Sequence, residues 1–294
     1  MTEKSIISKI RHIYGQSDGL NSFRFYRDYS SGFSYTLGDH SEGKHIISIT
    51  PDDSKLEKLL FNKHFHNLSY DIETAIENAV YCLIRYGVAY IYINAEYSEI
   101  KSDAGDTESV LKSLQIGGIS GIITKKTETN IEFWGFGPIE SIQKNNYKPA
   151  GFIEMKLKDL GYSKTHFSKI ARKLDRYDAT SSSLIYNKND GYDFSVHVKK
   201  NTLQEYKITR KVGWIPNPEG LSESQCYYRK IRQNKLKITM MKYVVDSINK
   251  RLQSFIDLDS DGRISVNLKI PDYEELWLKY LDGKITMTEL SSIL

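Results

Sequence analysis

Cysteine, long apolar runs and catalytic signature motifs are all scarce in this 294-residue chain, and each scarcity removes a class of protein. Two cysteines, Cys82 and Cys226, make no disulfide framework, so the chain reads as one from a reducing compartment. No apolar run reaches the roughly 18–20 residues needed to span a bilayer. The most apolar stretch, 79–93, is interrupted by Arg85 and Gly87. The opening Met-Thr-Glu-Lys-Ser lacks the apolar core of a signal peptide. No phosphate-cradling Gly-x-x-x-x-Gly-Lys-Ser/Thr loop occurs, and neither do Gly-x-Gly-x-x-Gly, Gly-x-Ser-x-Gly or His-Glu-x-x-His. The chain therefore reads as a protein that is not an enzyme and needs no cofactor. With 39% apolar and 12% aromatic residues it is globular rather than disordered.

What is present is an uneven charge. The total is only +4, yet residues 199–251 hold 13 Lys/Arg against 4 Asp/Glu, while the remainder holds 28 against 33. Such asymmetry favours contact with a polyanion or an acidic protein face, although a solvated helix face gives the same pattern.

Periodicity predicts an α+β chain: a mixed sheet with packed helices, a small β-rich insert and one long helix. Ile6, Ile7, Ile10 and Ile13 predict a helix over 3–14. The alternating 23–29 and 33–37 predict a β-hairpin, 45–50 a strand, and Thr50-Pro51 the start of a helix over 51–61. Ile72, Ala75, Ile76, Ala79, Val80 and Leu83 form one helical stripe. Gly87 ends it, and a strand follows from Val88. A short helix is expected over 106–114, then strands of one sheet at 119–125, 130–136 and 150–157. Ser163 caps a helix over 164–176, and short strands are expected near 183–187, 192–198 and 204–210. Pro216 and Pro218 interrupt 213–220. These elements suggest an α/β domain over 1–160, a helix–insert–helix segment over 161–256, and a returning strand with short helices over 257–294.

The longest element is a helix over 222–256, capped by Ser222. Ile231, Ile238, Val245 and Leu252 repeat every seven residues, as do Tyr227, Met241, Ile248 and Phe255, with Asn234 interrupting. This reads either as an oligomer seam or as a helix lying across its own domain. Its cations, Arg229, Lys230, Arg232, Lys235, Lys237 and Lys242, are the candidate nucleic-acid or partner contacts. Tyr227 and Tyr228 beside them suit base stacking or a protein interface.

Two constellations resemble metal sites and fall short. Asp257, Asp259 and Asp261 precede Gly262 as in a calcium loop, but Leu268 stands where a bidentate Glu belongs, and the alternating Ile264, Val266, Leu268 and Ile270 predict a strand. His64 and His66 lack further ligands at suitable spacing.

The run Ala-Ile-Glu-Asn-Ala-Val-Tyr-Cys-Leu-Ile-Arg-Tyr-Gly-Val-Ala-Tyr-Ile-Tyr-Ile, beginning at Ala75, resembles a recurrent piece of tailed-bacteriophage portal proteins. There a helix ends in Tyr-Gly-x-Ala-Tyr and enters a strand of the wing domain. The order helix, insert and long helix over 164–256 is similar to that family's stem, clip and second stem helix. The terminal Leu281-Asp-Gly-Lys-Ile-Thr-Met-Thr-Glu-Leu290, with a Thr286/Glu289 capping box, is similar to segments that close such chains. The resemblance implies a virion protein assembled in the host cytoplasm: a homo-oligomeric ring, usually dodecameric, at one capsid vertex. It further implies double-stranded DNA passing through the centre without sequence preference, and terminase, neck or adaptor and capsid proteins as partners, with no membrane. Beside it stand two other readings: a sequence-nonspecific nucleic-acid-binding protein using helix 222–256, and an enzyme without a recognisable motif.

Overall fold

Ile6 and Ile10 are buried on one face of the first helix, α1 (Glu3–Tyr14), as their spacing predicts. The computed structural model describes residues 2–14, 18–30, 47–50, 68–101, 107–136, 141–185, 194–215, 221–253, 265–269 and 271–293. The chain forms two units. One comprises Met1–Ser17, Phe33–Lys164 and Met241–Lys269; the other comprises Asp18–Gly32, Thr165–Met240 and Ile270–Leu294. The long helix contributes to both, and so does the segment after it.

The first unit is α+β. Helix α3 (Leu68–Tyr86) buries Ile72, Ala75, Ile76, Ala79, Val80 and Leu83. It ends at Gly87, whose φ of +74° is the left-handed conformation that glycine adopts without steric cost. Strand β2 (Val88–Lys101) follows and lies at the centre of an antiparallel sheet between β3 (Thr107–Ile119) and β7 (Phe152–Lys156). Its alternate residues Ala89, Ile91 and Ile93 are buried, and α3 packs against β2 and β3. The opposite parity carries Tyr90 and Tyr92 into a cluster with Ile131, Phe133, Phe152 and Tyr147.

That cluster joins the first sheet to a second, in which β5 (Ile131–Phe136) lies between β4 (Gly121–Lys126) and β6 (Ile142–Tyr147). Helix α1 covers it, with Ile6 and Ile10 against Trp134. A third, two-stranded sheet pairs β1 (Ile47–Thr50) with β8 (Ser265–Leu268). Asn249 fastens β8, its Oδ1 accepting from Val266 N at 2.8 Å and its Nδ2 donating to Val266 O at 2.9 Å.

The second unit is helical among the described residues: α2 (Leu20–Ser30), α4 (His166–Ile185), α5 (Phe194–Thr209), the first part of α6 (Glu223–Leu252), α7 (Tyr273–Leu281) and α8 (Met287–Ile293). Phe25, Tyr29, Phe167 and Trp214 form its aromatic centre. The Phe25 and Trp214 rings stand edge to face at 5.4 Å, and Trp214 Nε1 donates to Asp28 Oδ2 at 2.9 Å.

Several expectations are corrected. Residues 20–30 are a helix, not the first arm of a hairpin. The pattern Phe-Arg-Phe-Tyr-Arg-Asp-Tyr satisfies both periods, and packing selects the helical one: Phe25, Tyr26 and Tyr29 are buried while Phe23 is 47% exposed. Residues 107–119 are a strand, because pairing with β2 from Tyr90↔Ile119 to Lys101↔Thr107 outweighs a short local helix. The strands expected to share one sheet fall into two, and the polar β6 went unpredicted because an exposed edge strand has no apolar alternation.

Among the described residues the insert forms helices and no strand. Helix α4 runs to Ile185, beyond the expected stop at 176, and 194–209 is α5. Thr202 and Thr209, seven residues apart, are buried on α5, a polar inner face that counting apolar residues does not detect. The expected helix over 51–61, the strand at 33–37, His64, His66, and Asp257, Asp259 and Asp261 lie outside the described residues.

Candidate nucleic-acid and partner interface

Ser222 caps α6 as its sequence predicts: Ser222 Oγ accepts from Gln225 N at 3.3 Å, and Gln225 Oε1 accepts from Ser222 N at 3.3 Å. The cations that follow do not form one charged face. The Arg229 guanidinium lies 3.9 Å over the Tyr206 ring and donates to Tyr206 O at 3.2 Å and Thr209 Oγ1 at 3.4 Å. Partial burial there draws its pKa below the ordinary arginine value, the Tyr206 phenol opposing that shift. Lys237 is buried, and its Nζ donates to Asp28 O at 3.4 Å.

Lys235 is exposed but paired with Glu274, and Arg232 donates to Arg210 O at 3.4 Å. Lys230 and Lys242 are exposed. A helix turns about 100° per residue, so Lys230 and Arg232 point about 200° apart. Of the six candidates, two are thus structural, one is ion-paired, and of the other three Lys230 points away from Arg232 and Lys242.

Most of the heptad residues are buried within the single chain; Tyr227 is half-buried, and Phe255 lies outside the described residues. Met241, Ile248 and Leu252 have no solvent exposure, Val245 has 4% and Ile231 6%, with Ile238 half-buried. Leu236, Met240 and Val244 are buried as well, which makes the apolar face wider than a two-position seam.

A set of cations that shares one side lies on α4, for which the sequence expectation named only the apolar residues. Phe167, Ala171 and Leu174 point inward, while Lys169, Arg172, Lys173 and Arg176 are all exposed. Their i, i+3, i+4, i+7 spacing holds them within roughly a 100° arc and about 10 Å along the axis. Asp175, the one acidic residue in 166–176, is turned to α2, where its Oδ1 accepts from Ser22 N at 2.9 Å. The pairs Lys169/Lys173 and Arg172/Arg176 place like charges one turn apart, each costing the helix about 0.2–0.5 kcal/mol. The signal was legible as basic residues recurring at helical spacing. The unit that contains them carries 19 Lys/Arg against 14 Asp/Glu, and the other unit 22 against 23.

An aromatic group flanks α6 on the same unit: Tyr228 lies 5.8 Å from Trp277, which lies 5.3 Å from Tyr280. Leu278 and Leu281 of α7 are exposed. Tyr227 donates to Glu223 on its own helix at 3.3 Å. Cys226 is half-buried; Cys82 is buried, its Sγ 3.7 Å from Ser120 Oγ, and burial pushes its thiol pKa up. Among the described residues no group of three or more His, Cys, Asp or Glu is placed to hold a metal ion, and no helix is long and apolar enough to cross a membrane.

Comparison with protein-family models finds no match to this chain, and comparison with curated proteins finds none.

Proposed function

We propose that the chain is a portal-type structural subunit, which forms a homo-oligomeric ring at a bacteriophage capsid vertex and lets double-stranded DNA pass. The observation that carries this reading is the unit built around Gly87. A 19-residue helix ends in a left-handed glycine and runs straight into a 14-residue central strand, with the Tyr-Gly-x-Ala-Tyr residues at the junction. The 30-residue α6, which leaves a helical unit and ends in the α/β unit, supports it. The helical insert departs from the family's β-rich clip, so the support rests on the wing-like unit and the long helix.

A closed ring needs heterologous contacts between copies. Because the α6 heptad face is covered within one chain, those contacts fall to other surfaces, among them the exposed Leu278 and Leu281. Terminase, neck and capsid proteins are the partners of this reading, and the virion is its location. Light scattering of the purified chain, alone and co-expressed with neighbouring structural proteins, is the test, together with negative-stain images. A particle of about twelve copies with a central hole is the expected result. A species that stays at 33.9 kDa under both conditions overturns the reading.

A further inference from the structure

We infer that the cationic ridge of α4, Lys169, Arg172, Lys173 and Arg176, is a docking surface for the phosphate backbone of duplex nucleic acid. The proposal rests on the DNA-contacting part of the portal reading and moves that contact from α6 to α4.

Three observations carry it. The four side chains are exposed on one arc of one helix, whose opposite face is fixed by Phe167, Ala171 and Leu174 at 0–1% exposure. The ridge is therefore held by a packed core and not by a loop. The acidic residue nearest in sequence, Asp175, accepts from the Ser22 backbone N–H and is turned away from the arc. Like charges at one-turn spacing repel, and a polyanion removes that repulsion on binding.

The dimensions fit. Duplex DNA carries one charge per about 1.7 Å of axis, so a length of about 10 Å, that of the ridge, holds about six phosphates, about three on each strand. Contact of this kind reads no bases and is sequence-blind. The α6 cations fit less well, since Arg229 is stacked on Tyr206, Lys237 is buried and Lys235 is paired with Glu274.

The test is fluorescence anisotropy of the full chain with a mixed-sequence 30-base-pair duplex across a salt series. One variant carries Lys169→Gln, Arg172→Gln, Lys173→Gln and Arg176→Gln. A second removes the same charge from exposed positions elsewhere, with Lys4→Gln, Lys9→Gln, Lys125→Gln and Lys126→Gln. The slope of log affinity against log salt changes by about 0.9 per phosphate contact. The ridge variant is therefore expected to lose about 3–4 from that slope while its circular dichroism is unchanged. The second variant keeps the slope, and Lys169→Gln with Lys173→Gln loses about 2.

An unaltered slope in the ridge variant overturns the proposal, and so does an equal loss in both four-site variants. Absence of duplex binding by the unmodified chain at low salt overturns it too, whereas ring formation is decided by particle mass. If the ridge variant instead falls apart from its oligomer and the unmodified chain ignores DNA, the ridge meets another copy and the nucleic-acid proposal is wrong.

Discussion

The Arg229 guanidinium stacks 3.9 Å over the ring of Tyr206, tying α6 to α5. A residue that looks in sequence like a free cation in a basic run is thus a packing element. Its two hydrogen bonds to Tyr206 O and Thr209 Oγ1 fix its plane over the ring. Arg229→Lys removes the planar fork and is expected to lower stability by about 1–2 kcal/mol. Urea unfolding measures the loss. An unchanged midpoint would mean that the stack contributes nothing.

Gly87 and Gly161 share a positive φ, +74° and +80°, but differ in space. A Cβ on Gly87 would meet Lys164 O at 2.3 Å, whereas one on Gly161 meets nothing within 4 Å. Gly161→Ala is expected to cost only the conformational term, about 1 kcal/mol. Gly87→Ala adds a clash with backbone and is expected to cost several-fold more. Thermal melts of the two variants compare them directly; equal losses would refute the close approach.

Ile248 has no solvent exposure, so Ile248→Ala is expected to cost about 2–5 kcal/mol through lost burial and the cavity left behind. The loss should be the same at every protein concentration. A melting temperature that recovers at high concentration would instead place Ile248 in a contact between copies.

Burial raises the pKa of Tyr90 from 10.0 to about 12, with Glu154 adding to the shift, and burial raises Tyr147 and Tyr273 as well. The folded state therefore holds these phenol protons more tightly than the unfolded chain does. The resulting stability is complete below about pH 10 and is lost as pH rises toward about 12. Tyr90 alone is expected to contribute on the order of 2–3 kcal/mol. Urea midpoints should fall steeply over that interval, and tyrosinate absorbance should lag behind that of the unfolded chain. A flat midpoint would contradict the burial of these rings.

The end of the chain shows how a local rule reads through. Thr286 and Glu289 form the capping box that their spacing predicts: Glu289 Oε2 accepts from Thr286 N at 2.6 Å, and Thr286 Oγ1 accepts from Glu289 N at 3.2 Å. The Thr286 backbone N–H and the Thr286 hydroxyl, which also donates to Glu289 Oε2 at 2.9 Å, hold the Glu289 carboxyl below its ordinary pKa. These bonds need only residues three apart, which is why sequence suffices.

The same holds for α1, for the helix, glycine and strand over 71–94, and for the capped start of α6. In each, period and terminus agree and no distant residue is needed to decide between alternatives. Where two periods compete, the tertiary structure decided. Phe25 and Tyr29 became helical because Phe167 and Trp214 lie beside them and Tyr29 donates to Val212 O at 2.6 Å. Residues 107–119 became a strand because β2 offers them a partner.

The candidate site follows this division. The helical spacing of Lys169, Arg172, Lys173 and Arg176 is written in the sequence, as is the excess of cations over 199–251. Which of those cations meet solvent is not. Lys237 and Lys235 lie two residues apart, yet one is buried against Asp28 and the other exposed and paired with Glu274. Charge is a property of the residue, but its availability depends on what the rest of the chain packs around it.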